Sequence, residues 1–88
     1  MTSVLIYTTR WCPFCQRALQ LLDSKGVSYT NVDVDDDPSQ RQIMIERAGR
    51  RTVPQIFIGD THVGGCDDLY ALEREGRLDA MLNMDAKQ

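Results

Sequence analysis

The chain has 88 residues, 42% of them hydrophobic, with three cysteines and a formal net charge of −3. That length holds one small domain, residues 1–88, near the lower limit for folding on an apolar core alone, and the hydrophobic fraction excludes a disordered segment. Charges of both signs are interspersed and the apolar runs are short, which argues against nucleic acid or a membrane as partner.

The N-terminus lacks the charged segment, long apolar stretch and small-residue cleavage site of a signal peptide, so cytoplasmic residence is the expectation. In that compartment a C-x-x-C pair reads as a redox motif rather than a structural staple. Residues 4–7, Val-Leu-Ile-Tyr, are short, apolar and β-prone, and predict a buried strand. Trp11-Cys12-Pro13-Phe14-Cys15 follows and opens a helix. Phe14, Ala18 and Leu22, with Cys15 and Leu19, give it one apolar face, and Gly26 stops it. Proline is tolerated at the first helical position, where its missing N–H has no partner to lose. Pro13 there puts Cys12 at the N-cap and Cys15 one turn in.

That placement decides the chemistry. A sulfur at the N-cap faces unpaired N–H groups and the positive end of the helix dipole, which favour thiolate over thiol. Arg10 and Arg17 are candidates to add positive potential. Cys15, on the apolar side, is expected to be less exposed and less ionised. Cys12 is placed to attack and Cys15 to resolve. A zinc site completed by His62 and Cys66 is a weaker reading of the same residues. A structural disulfide is weaker still, with an odd cysteine count and no mark of secretion.

Residues 27–34 alternate at period two and predict a second strand, making a βαβ unit with parallel strands and a right-handed crossover. The acidic run before Pro38 reads as a helix start rather than a cation site. Asp37 is the N-cap, Pro38 the first helical residue and Gln40 the third, as in a capping box. Ile43, Met44 and Ala48 are expected inward, and Gly49 ends that helix. Arg50-Arg51-Thr52 is read as closing the helix and contacting a small anionic ligand.

Residues 53–58 predict a third strand with Pro54 at its start, where proline can be accommodated. Gly59-Asp60 is a tight turn, and residues 61–63 the partner strand of a hairpin. His62, the only histidine, is expected to be a solvated edge-strand residue rather than a catalytic base. Gly64-Gly65-Cys66-Asp67-Asp68 leads into a last helix with Leu69, Tyr70 and Leu72, capped by Asp67 or Asp68. Gly76 ends it, residues 78–82 add a short turn, and residues 85–88 form a frayed tail. The predicted order is βαβαββα. Cys66 reads as a buried small hydrophobe in preference to an auxiliary thiol.

Three motifs in order, Cys12-Pro13-Phe14-Cys15, Thr52-Val53-Pro54 and Gly64-Gly65-Cys66-Asp67-Asp68, resemble the glutaredoxin family, in particular its small bacterial dithiol members of the glutaredoxin-3 type. The resemblance runs from Val4 to about Leu82. It implies an α/β thioredoxin fold, a four-stranded mixed sheet flanked by helices, with Pro54 cis and opposite Cys12. It implies glutathione as reductant and co-substrate, and glutathionylated or disulfide-bonded proteins as partners of a monomeric enzyme with no metal. The implied glutathione contacts are Arg10, Phe14, Arg41, Thr52, Val53, Pro54, Gly65, Cys66 and Asp67. Of these, Val53 pairs its backbone with the cysteinyl part, and Arg41 and Thr52 meet the glycine carboxylate. The Cys66 and Asp67 amides and the Asp67 carboxylate meet the γ-glutamyl end.

Three positions depart from the family pattern. Thr9 stands where lysine is common, with Arg10 as the nearest charge. Trp11 replaces a small polar residue, as in thioredoxins, and Phe14 replaces tyrosine. The activity expected is reduction of mixed and protein disulfides through Cys12 and Cys15. Its rivals are a thioredoxin-like reductant recharged by a flavoenzyme, which Trp11 favours, and an iron–sulfur carrier, which Pro13 disfavours.

Overall fold

The computed structural model of the protein describes residues 3–82. The chain runs β1 (Val4–Thr8), α1 (Pro13–Ser24), β2 (Thr30–Asp33), α2 (Pro38–Ala48), β3 (Gln55–Ile58), β4 (Thr61–Gly64), α3 (Cys66–Arg74) and α4 (Leu78–Met81). The strands lie in the order β2-β1-β3-β4. β1 pairs parallel with β2 and antiparallel with β3, and β3 antiparallel with β4. This is the expected four-stranded mixed sheet, with α4 as the short final turn. The tail predicted at 85–88 lies outside the described residues.

The two central strands are apolar but for Thr8 and Gln55 at their ends, because both their faces are covered. Val4 and Ile6 of β1 and Ile56 and Ile58 of β3 face Ala18, Leu21 and Leu22 of α1 and Leu69 of α3. One residue out of phase, Tyr7 and Phe57 face Met44 of α2 together with Val34. Ile6, Leu22 and Leu69 are wholly removed from solvent, and each such side chain contributes roughly 1.5–3 kcal/mol relative to leaving it in water.

Several expectations change. β2 begins at Thr30, not at residue 27; Val27 and Tyr29 instead pack side chains onto the core from the preceding loop. β3 begins at Gln55, not at residue 53. Phe14 is 53% exposed, because the buried stripe of α1 runs through Cys15, Ala18, Leu21 and Leu22. Position 14 lies about 100° around the helix from Cys15. In α2, Ile43 is exposed and Ile45 packs inward with Met44 and Ala48. Asp37 caps α2 as expected, its carboxylate accepting from the Ser39 amide at 3.1 Å. His62 is half-buried rather than solvated.

Candidate active site

β1 delivers the chain to the start of α1, and the bend there presents Cys12. Its backbone is extended (φ −120°, ψ 107°) and its side chain caps the helix. The Cys15 amide donates to Cys12 Sγ at 3.2 Å. Pro13 at the first helical position removes an N–H that would have had no acceptor in the helix. Across the gap, the Cys12 thiol points at the Val53 carbonyl, 3.8 Å away, and the Val53–Pro54 peptide bond is cis, as the resemblance implied.

The three cysteines are free but differ in setting. Cys12 is half-buried, whereas Cys15 is completely buried and Cys66 nearly so. Burial pushes the Cys15 thiol well above its ordinary value, helped by its hydrogen bond to Cys12 and by the charge there; a backbone contact at Thr9 opposes this. Burial also raises Cys66, against a lowering effect of Arg17. Cys66 packs into the core beneath α3, in keeping with its reading as a small hydrophobe.

Two grooves border this region. One, of about 180 Å³, is lined by Phe14, Arg50, Gly65, Cys66, Asp67 and Asp68. Asp68 reaches back from the first turn of α3 to accept from the Gly65 amide at 2.9 Å, and Arg50 donates to the same carboxylate oxygen at 3.4 Å. Of the two candidate caps, Asp68 therefore acts, and Asp67 is left facing the groove. Gly64 has φ +117°, and a side chain there would overlap the Asp68 carboxylate, so glycine is required. Gly65 has extended backbone, φ −94°, and an added Cβ would meet only the Pro54 carbonyl, at 3.5 Å.

The second groove, of about 350 Å³, is lined by Arg10, Trp11, Cys12, Pro13 and Gln16. Trp11 is 89% exposed at its rim. Arg10 lies 3.9 Å from Asp36. Arg41 donates to Asp35 at 2.7 Å and lines neither groove. Thr52 stands at the start of the segment facing Cys12, where its carbonyl and hydroxyl accept from Gln55. Among the described residues, no group of three or more His, Cys, Asp or Glu side chains is placed to hold a metal ion.

Arg50, expected within its basic triplet to contact a small anionic ligand, is the member of that triplet that lines the groove. The spacing of motifs gives no sign of the pair Gln55 and His62, whose side chains join at 2.7 Å. The available signal was a lone amide inside the apolar run of residues 53–58.

The glutaredoxin family profile matches residues 4–63. Over 83 residues the chain is 58% identical to a glutaredoxin of Pseudomonas aeruginosa, covering 94% of this chain and 99% of that one. It is 55% identical over 82 residues to glutaredoxin 3 of Escherichia coli K12, covering 93% and 99%. The structure of a buckwheat glutaredoxin–glutathione complex superposes with a TM-score of 0.86 at 30% identity, covering 93% of this chain and 77% of that one. With sequence, sheet order and the paired sulfurs in agreement, this chain belongs to the glutaredoxin family, thiol–disulfide oxidoreductases built on the thioredoxin fold.

Proposed function

We propose that the enzyme draws its electrons from glutathione and reduces protein–glutathione mixed disulfides, and protein disulfides, through Cys12 and Cys15. The observation that carries this reading is the groove of Phe14, Arg50, Gly65, Cys66, Asp67 and Asp68 at the start of α3. A γ-glutamyl end offers one carboxylate and one ammonium. The first amides of a helix suit the carboxylate, and Asp67 suits the ammonium, Asp68 being engaged by Gly65 and Arg50. The Val53 backbone, facing Cys12 beside Pro54, suits the cysteinyl part as an added strand. Thr52, Arg10 and Arg41 are the groups for the glycine carboxylate, and Arg41 would exchange Asp35 for it. Phe14 flanks the tripeptide.

In the reaction the Cys12 thiolate attacks the glutathionyl sulfur of a mixed disulfide, and the protein leaves as its thiolate. A second glutathione thiolate then attacks the sulfur bound to Cys12, forming glutathione disulfide and freeing Cys12. With a protein disulfide, Cys12 attacks one substrate sulfur and the other leaves as a thiolate; Cys15 then attacks Cys12 Sγ and releases the first substrate sulfur as a second thiolate. The resulting Cys12–Cys15 disulfide is reduced by two glutathiones. Once Cys12 is bonded, its charge no longer opposes ionisation of Cys15, but burial, the larger cause, persists. We place the enzyme as a monomer in the cytoplasm, where thiols are kept reduced.

A coupled assay tests the electron source. Turnover of a glutathionylated peptide is expected with NADPH, glutathione and glutathione reductase, and not with NADPH and thioredoxin reductase. Turnover with thioredoxin reductase alone would favour the thioredoxin-like alternative.

A further inference from the structure

Behind the segment that faces Cys12 runs a chain of polar contacts that the chemistry above does not use. Gln55 is 0% exposed. Its Nε2 donates to the Thr52 carbonyl at 3.0 Å and to the Thr52 hydroxyl at 3.2 Å. Its Oε1 lies 2.7 Å from His62 Nε2, and since an amide oxygen can only accept, His62 carries its proton there. His62 is itself held, its ring stacked on Phe57 at 4.8 Å and 28°. The Arg47 guanidinium lies 4.2 Å from the centre of the same phenyl ring.

The sheet geometry makes this meeting possible. Residues 55 and 57 share a face of β3. His62 stands opposite Phe57, in the register that begins at the hairpin with Ile58 and Thr61, and from there the imidazole reaches diagonally to Gln55. A buried amide without partners is costly, and an apolar residue would fill the same space without that risk. Here every contact made by the amide nitrogen goes to Thr52, one residue before the carbonyl that faces Cys12.

We infer that Gln55 and His62 are positioning residues for the reaction: they fix the main chain at Thr52 and Val53, the edge against which the substrate disulfide lies beside Cys12. The inference rests on the proposed function only for the identity of the substrate. Its expected signature is on binding rather than on sulfur exchange, because a fixed edge spares the substrate the ordering of its own partner. Loss of binding shared by ground state and transition state raises the half-saturation concentration and leaves the limiting rate alone.

The test is single-turnover reduction of a glutathionylated peptide by pre-reduced enzyme, which needs no recycling reductant. In Gln55→Met the half-saturation concentration is expected to rise roughly five- to tenfold, as for loss of a hydrogen bond or two, with the limiting rate within about twofold. His62→Phe keeps a ring for stacking but cannot donate, and is expected to show the same split to a smaller degree. His62→Gln can donate to the same oxygen and is expected to return toward wild type. Unchanged half-saturation in both Gln55→Met and His62→Phe would overturn the inference, as would a limiting rate that falls in step with thermal stability. If Gln55→Met does not fold, His62→Phe and His62→Gln carry the test. Should wild type saturate only with a disulfide-bonded peptide, the glutathione reading fails while the same split, read on that peptide, still decides the positioning role.

Discussion

At the scale of single residues, the two active-site sulfurs differ in access before they differ in anything else. Cys12 sits half-buried at a helix start, whereas Cys15 is sealed in the core and held protonated by that burial. Cys12→Ser should abolish all activity, since a hydroxyl does not ionise usefully near neutrality. Cys15→Ser should keep at least half of the deglutathionylation rate, because glutathione resolves the intermediate. It should fail on protein disulfides and accumulate a mixed disulfide visible by mass spectrometry; equal and complete loss in both folded variants would reverse the assignment of roles. Asp67, facing the groove, gives a second prediction. Asp67→Ala should raise the KM for glutathione several-fold, as for one charge-assisted hydrogen bond, with kcat little changed. Steady-state kinetics over a range of glutathione concentrations would show it, and an unaltered KM would remove Asp67 from the site.

At the scale of elements, what could be read in advance was whatever depends on neighbours in the chain. Cys12, Pro13 and Cys15 are one helix start, and Gly64 to Asp68 another, so spacing and capping chemistry located both. Contacts set by pairing between strands could not be read that way. His62 meets Gln55 across seven residues, diagonally from its place opposite Phe57; a short strand of mixed polarity carries no sign of that. The periodicity around Phe14 and Ile43 admits two neighbouring stripes, and only packing against the sheet selects the one that leaves both residues exposed. Arg41, tied by the resemblance to a ligand carboxylate, meets the Asp35 carboxylate in the chain itself. A third prediction belongs here. Lys25, the C-cap of α1, joins Glu73 of α3 at 2.6 Å and Asp79 of α4 at 2.7 Å. Lys25→Met should lower stability by about 1 kcal/mol, leaving two carboxylates to repel each other. The clamp lies a helix length, roughly 18 Å, from Cys12, so a thermal melt should move while turnover does not.

At the scale of the whole molecule, these settings add up to a pH profile of stability. Lys25 is raised by its bonds to Asp79 and Glu73, Tyr29 by its bond to Asp23, and Cys15 by burial. Each keeps its proton longer when folded. Their contributions are complete below the ordinary values of these groups and are lost as pH rises through the raised ones. On the acid side, burial and then Arg50 lower His62, and the Ser39 hydroxyl lowers Asp37. Both take up protons more readily when unfolded, so stability falls as pH drops below their ordinary values. Thermal midpoints should form a plateau from about pH 7 to 8.5 and fall on either side. In Lys25→Met the alkaline fall should be shallower; an identical slope would mean that the clamp is not what titrates.

The indole of Trp11 stands 89% exposed on the rim of a groove that Cys12 lines, and the chain contains no second tryptophan. The protein therefore carries its single indole beside its reacting sulfur. Any event at Cys12, whether a bond to Cys15, a bond to glutathione or a bound polypeptide covering the groove, changes what that ring touches. Emission excited in the indole band should thus step between oxidised and reduced enzyme, and shift to shorter wavelength when a polypeptide covers the ring. Stopped-flow mixing would follow each half-reaction in real time without an added label. Trp11→Phe should silence the signal.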